Sequence, residues 1–383
     1  MKKFFNIILI ILGVALIGVC VDLTTNKLAK TDYNSLDAVD REAIAELCGM
    51  TELFKDRRGC SDVWSENYNL RDYKAVVTRK LGIIKGTTYA VNLNVSKNIF
   101  AQQIIMPDEY SDIAVYRFAY FTPFTFSLYN NKSDTFSYVN GERVYIDVYD
   151  SQSIRAKGTG SMEEVYVKET FFDAVESLDV PSRINASFEI KEENVALIGL
   201  EYRILDDMLV EDNDEKLHEL VKEYVAVREY QNSKNLLFAK YRNQMEAREG
   251  CAQYAFYNIS DLIDHDITYF NKEKDDSITF YSAYYYLCTG RYNSDINDYF
   301  NETGIAYEGA ALCRVIEDNH LYTNWCNRVD ANENDIVAPY TLLKRRCERN
   351  YGGYRDVSLD DIKRSYNYEE IISMARTLVN GVS

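Results

Sequence analysis

A pentad in mid-chain, Lys168-Glu169-Thr170-Phe171-Phe172, has residue types and spacing that could do chemistry. It lies in Val165–Glu176, directly after Ser161-Met162-Glu163-Glu164. That quartet has capping-box spacing: the Ser side chain takes one orphan N–H, and the Glu three residues on reaches back to another. An apolar run follows, so a helix is predicted to start here. On that helix residues 168 and 172 lie one turn apart on one face, with Glu169 beside them. A carboxylate so placed can activate a water. A second carboxylate, Glu249, opens Glu249-Gly250-Cys251-Ala252-Gln253-Tyr254 on another predicted helix.

The pentad resembles an HExxH zinc helix in which both histidines are gone. In that motif the two His bind zinc and the Glu activates water. Lys168 and Phe172 occupy the two histidine positions, and Glu169 alone keeps its type. The later EGxAxY element resembles the third-ligand helix of Glu-zincin metallopeptidases. Between them lie Glu193–Arg203 and Tyr224–Arg228, and after them Tyr307–Cys313. This order resembles a bacterial group of membrane-anchored, zinc-peptidase-like proteins, over roughly Ser161 to Arg328. The resemblance implies a zincin-like helical domain, Glu169 as a relic general base and Glu249 as a relic metal ligand. It implies zinc as the cofactor of any active form.

Zinc wants about three protein ligands, and a cationic Lys168 and an apolar Phe172 remove two. The expected form is therefore a pseudoenzyme without a cofactor. Its Lys168 ammonium would stand where the metal stood and neutralise Glu249, with Phe172 filling the volume of an imidazole. Such a protein would bind a protein or peptide partner at the cell surface. Two other readings stand beside it. One is an active metallopeptidase with unusual ligands. The other is a plain surface interaction protein, with Tyr281, Tyr284 and Tyr285 as a contact stripe on one helix.

Other chemistry has less to stand on. The three histidines, His218, His265 and His320, are scattered, and none has HExxH spacing. There is no G-x-S-x-G, so a serine hydrolase has no anchor. Glu211-Asp212-Asn213-Asp214-Glu215 lacks the Gly and terminal Glu of a calcium loop and reads as a solvated helix start. A formal net charge of -17, with no basic face, argues against nucleic acid. None of the eight cysteines falls in a CxxC pair, and Cys48–Cys60 is the expected local disulfide if the chain is extracytoplasmic.

Four segments must position these groups in a chain of 383 residues. Residues 1–22 read as a membrane anchor or signal segment: Lys2 and Lys3 precede the apolar run Phe4–Val21, so the bulk is expected outside. Residues 23–73 read as a stalk and a helical segment. Residues 74–160 change to a period of two, with turn signals such as Pro107-Asp108 and Asn140-Gly141, and predict an antiparallel sheet. Residues 161–383 read as helices, among them Glu192–Met208, Glu215–Tyr230, Asn235–Tyr257 and Ile305–Asp318. The expected class is α+β, an N-terminal sheet region followed by a mostly helical domain.

Overall fold

A computed structural model describes residues 2–29, 31–55, 63–65, 68–81, 84–120, 135–139, 141–155, 161–179, 184–263, 279–291 and 295–382. The fold is mixed α+β, with an N-terminal six-stranded sheet followed by a mostly helical region. The chain forms two compact units. One is Met1–Thr170 with Ile259–Asp266, and the other is Phe171–Asn258 with Ile267–Ser383.

The first unit begins with helix α1 (Lys2–Leu28), most of whose apolar residues are solvent-exposed. It is long and apolar enough to cross a membrane. Helix α2 (Ala38–Leu53) starts at Asp37, whose carboxylate accepts the Val39 N–H at 3.0 Å. Its buried face carries Ala43, Ile44, Leu47, Cys48 and Met50.

The strands are β1 (Ala75–Leu81), β2 (Ile84–Val91), β3 (Ala101–Gln103), β4 (Val115–Phe118), β5 (Thr135–Val139) and β6 (Glu142–Tyr149). Their order is β3-β4-β2-β1-β6-β5. The sheet is mixed rather than purely antiparallel, because β6 runs parallel to β1. A period of two marks a strand but says nothing of its partner's direction. Val76, Ala90, Tyr116, Phe118, Val144 and Ile146 form the buried core on this sheet. Asp40 of α2 ties helix to sheet: it accepts from Tyr89 Oη and Tyr149 Oη, each at 2.9 Å, and pairs with Arg79 at 3.3 Å. The short helix α3 (Ser151–Arg155) follows β6, and α4 (Met162–Ala174) carries the reactive-looking pentad. The division between units falls inside α4.

In the second unit α5 (Glu192–Met208) is buried almost throughout, Val195 to Leu200 without a break. It packs against α6 (Asp214–Lys234), α9 (Phe280–Cys288) and α14 (Tyr368–Val382). The expected helix Asn235–Tyr257 appears as α7 (Leu236–Met245), a π-helical turn over Glu246–Gly250, and α8 (Cys251–Leu262). A π turn adds a residue to the helical circuit and shifts the face presented next. Among the described residues the remaining α-helices are α10 (Ile296–Asp298), joined by a second π turn (Tyr299–Thr303) to α11 (Gly304–Asp318), then α12 (Pro339–Asn350) and α13 (Leu359–Ser365). Tyr284 of α9 is buried and donates to Ile371 O at 3.1 Å, so this member of the tyrosine stripe is core.

One contact sets the spacing of the second unit. A Cβ on Gly250 would lie 2.7 Å from Gly309 Cα, and a Cβ on Gly309 would lie 2.9 Å from Gly250 Cα. Backbone meets backbone here, and no flexible side chain can yield. Gly250→Ala is therefore expected to destabilise the chain by about 1–3 kcal/mol, as overpacking does. Denaturant unfolding monitored by circular dichroism checks this.

Candidate functional site

Helix α4 begins as its cap spacing predicts, with Ser161 Oγ accepting the Glu164 N–H at 3.1 Å. Its side chains then turn to neighbours in the first unit. Lys168 Nζ pairs with Glu164 Oε1 at 2.8 Å, one turn back on the same helix. Ser260 Oγ donates to Glu163 Oε1 at 2.7 Å. Thr170 donates back to Tyr166 O at 2.8 Å, and Tyr68 Oη donates to Val167 O at 3.2 Å. On α2, burial and then the charges of Glu163 and Glu42 push the Glu46 carboxyl up to about 9.

Phe172 and Glu249 belong to the second unit, and one cation serves both. The Arg248 guanidinium carbon lies 4.3 Å from the centre of the Phe172 ring. Its Nη1 donates to Glu249 Oε1 at 2.5 Å. Glu249 thus pairs with its own neighbour Arg248, while the expected candidate, Lys168, pairs with Glu164. An i,i+4 partner on the same helix lies within reach without ordering a distant segment. Glu169 belongs to the first unit and Glu249 to the second. Among the described residues no three His, Cys, Asp or Glu side chains are grouped to hold a metal. His218 stacks on Tyr351 with ring centres 3.8 Å apart. His320 follows α11 in a left-handed conformation, and His265 lies outside the described residues. Cys48 is a buried free thiol, against the expected Cys48–Cys60 bridge; Cys60 lies outside the described residues.

The densest chemistry of the second unit lies elsewhere, in its interior. Glu201 of α5, Arg228 of α6, Arg242 of α7, Glu246 of the π turn and Glu308 of α11 converge there, each at most 1% exposed. Arg242 Nη2 donates to Glu201 Oε2 at 2.5 Å and to both Glu308 oxygens at 2.6 and 2.5 Å. Arg242 Nη1 donates to Gln231 Oε1 at 2.6 Å. Arg228 Nη1 donates to Glu308 Oε1 at 3.0 Å, and its Nη2 donates to Glu246 Oε1. Tyr224 Oη donates to Glu308 Oε1. The Arg228 guanidinium also lies 4.7 Å from the centre of the Tyr340 ring.

Three carboxylates face two guanidiniums here, so one negative charge is in excess. Burying a charge is costly unless it is paired, and an acid in that position shifts its pKa instead. The three acids divide accordingly. Burial raises Glu201 and Glu246 above the usual carboxylate range, and the arginines only partly offset this. Burial also acts on Glu308, but Arg242 and Arg228 overcome it and hold that carboxyl below its ordinary value. Glu201 Oε1 and Glu246 Oε2 have no hydrogen-bond partner.

The glycine crossing explains how these groups meet. Gly250 ends the π turn that carries Glu246, and Gly309 follows Glu308. Close approach of the two backbones brings both acids to the same arginines. It also leaves Cys251 and Cys313 as buried thiols with sulfurs 3.8 Å apart. Only part of this was readable in sequence. Arg228 lies at helical spacing from Val221, Tyr224 and Val225, on the apolar stripe of α6 rather than its solvated face. Glu201 likewise sits inside the apolar run Val195–Leu205. A charge on an apolar stripe is the signal of a buried ion pair. No family model, curated protein or solved structure matches the chain.

Two substitutions separate the roles of the acids. Glu308→Gln strips two buried arginines of their ionised partner and is expected to cost about 3–5 kcal/mol. Glu246→Gln imitates a protonated acid and is expected to cost clearly less. The pH dependence differs in sign. A raised folded pKa gives stability that is full below the unfolded value of about 4.3 and is lost as pH rises through the folded one. A depressed one gives stability present above that value and lost as pH falls. Glu246→Gln should therefore flatten the alkaline decline, and Glu308→Gln the acid one, in unfolding free energies measured across pH.

Proposed function

We propose that this chain is a membrane-tethered, peptidase-like protein that has lost its metal and works by binding a protein or peptide at the cell surface. The observation that carries the reading is the triad Phe172, Arg248 and Glu249. The position resembling a zincin's second histidine holds a phenyl ring, and the residue resembling the third ligand holds a guanidinium. An arginine–carboxylate contact is a strong, charge-assisted hydrogen bond. A zinc ion would have to displace it and would find no imidazole at residue 168 or 172.

The tether is α1, with Lys2 and Lys3 on the cytoplasmic side and the sheet and helical units outside. Glu169 is the relic of the general base. Lys168, paired with Glu164, keeps the first histidine position occupied by a cation. Arginine pairing leaves the helical unit free to serve as a scaffold on which surface residues recognise a partner.

Assay of the purified full chain against mixed peptide substrates, with added zinc and with chelator, tests this. The expected outcome is no hydrolysis above that of the Glu169→Gln variant. Chelator-sensitive hydrolysis that vanishes in Glu169→Gln would instead make it a working metallopeptidase with unusual ligands.

A further inference from the structure

We propose that the segment Ser96–Ile99, on two successive turns, is a second membrane contact, seated in the phospholipid headgroup layer of the bilayer that α1 crosses. This rests on the reading of α1 as an anchor. Phe4 to Leu23 supply the run without charge-bearing side chains apart from Asp22 at its outer end. At 1.5 Å per residue those ~20 residues span a hydrocarbon core of ~30 Å. Thr24-Thr25-Asn26-Lys27 come next. Asn26 then stands roughly 5 Å beyond the hydrocarbon edge, within the headgroup layer.

The sheet grips α1 at that level. Asn26 is only 8% exposed. Arg117 of β4 donates through Nε to Asn26 Oδ1 at 2.9 Å and through Nη2 to Asn26 O at 3.0 Å. Asn26 Nδ2 donates to Phe100 O at 3.3 Å, and Gln102 Nε2 to Lys27 O at 3.4 Å. Farther on, Ile105 N donates to Thr31 O at 2.7 Å, and Asp32 and Ile105 form a parallel bridge. The segment from Phe100 to Ile105 therefore runs alongside the segment from Asn26 to Tyr33, in the same direction. Both leave the membrane together.

It follows that Ile99 and the turn before it lie at the membrane end of this ladder. Ile99 is 67% exposed, and Lys97 is exposed on the turn just before it. An apolar side chain beside an ammonium fits the boundary between acyl chains and phosphates. Asn94 to Asn98 also line an open groove of about 530 Å³ that a headgroup can enter. Ile105, 64% exposed at the other end of the ladder, is farther from the bilayer by roughly 13 Å, four extended residues beyond Ala101 at about 3.3 Å each. One isoleucine meets lipid and the other meets water.

Tryptophan quenching in liposomes of phosphatidylcholine brominated on the upper acyl chain tests this with the full chain. Leu16→Trp, Ile99→Trp and Ile105→Trp are compared with the parent, which carries Trp64 and Trp325. All three sites are exposed, so the fold tolerates the ring. Expected is added emission lost to bromine at residues 16 and 99, and retained at 105. Emission at residue 99 that escapes quenching as at 105, while residue 16 is quenched, overturns the second contact and leaves the anchor intact. Emission at residue 16 that also escapes overturns the anchor, and this proposal with it.

Discussion

Glu308 between Arg242 and Arg228 is the interaction on which the helical unit depends. All three side chains are out of water, and none could stay there charged without the others. Satisfying them requires α6, α7 and α11 to arrive at one point, and α5 adds Glu201 to it. An apolar core accepts many arrangements of similar volume; this one accepts few. The near-contact of Gly250 and Gly309 is the geometric counterpart of that demand. The π turn is another, since it turns Glu246 inward within an otherwise continuous helical stretch.

The same economy of charge extends to Glu249. The chain is strongly acidic, yet the buried Glu201, Glu246 and Glu308 of the second unit hold arginine, and so does half-buried Glu249. Arginine suits this role because its planar fork binds carboxylates through several donors and stays ionised when buried. A histidine or a metal would answer the same acids in an enzyme. On the proposed reading, a site once shaped for an ion now keeps its acid satisfied by a neighbour along the chain. Binding then rests on the surface and not on the interior.

Much of the architecture was legible because it is written locally. Asp37, Ser161 and Asn235 each cap the helix that follows, and the bounds of α5 agree with the apolar period to the residue. The period of two over residues 74–160 located the sheet region. What was not legible is long-range. Nothing in β6 says that it pairs parallel with β1. Nothing in Lys168 says that Glu164, rather than an acid on another helix, is its partner. The ionic core was visible only as charges on apolar stripes, and Arg228 and Arg242 drew less notice than the residues that look like a motif. Arg248 was missed because a charged residue in Glu246-Ala247-Arg248-Glu249 reads as solvated face.

The central claim is that arginine, not a metal, answers the acids of the helical unit. Calorimetric titration of zinc into the purified full chain tests it most directly. The account predicts no saturable, stoichiometric uptake by the native chain. Stoichiometric uptake that disappears in Glu249→Gln would contradict it.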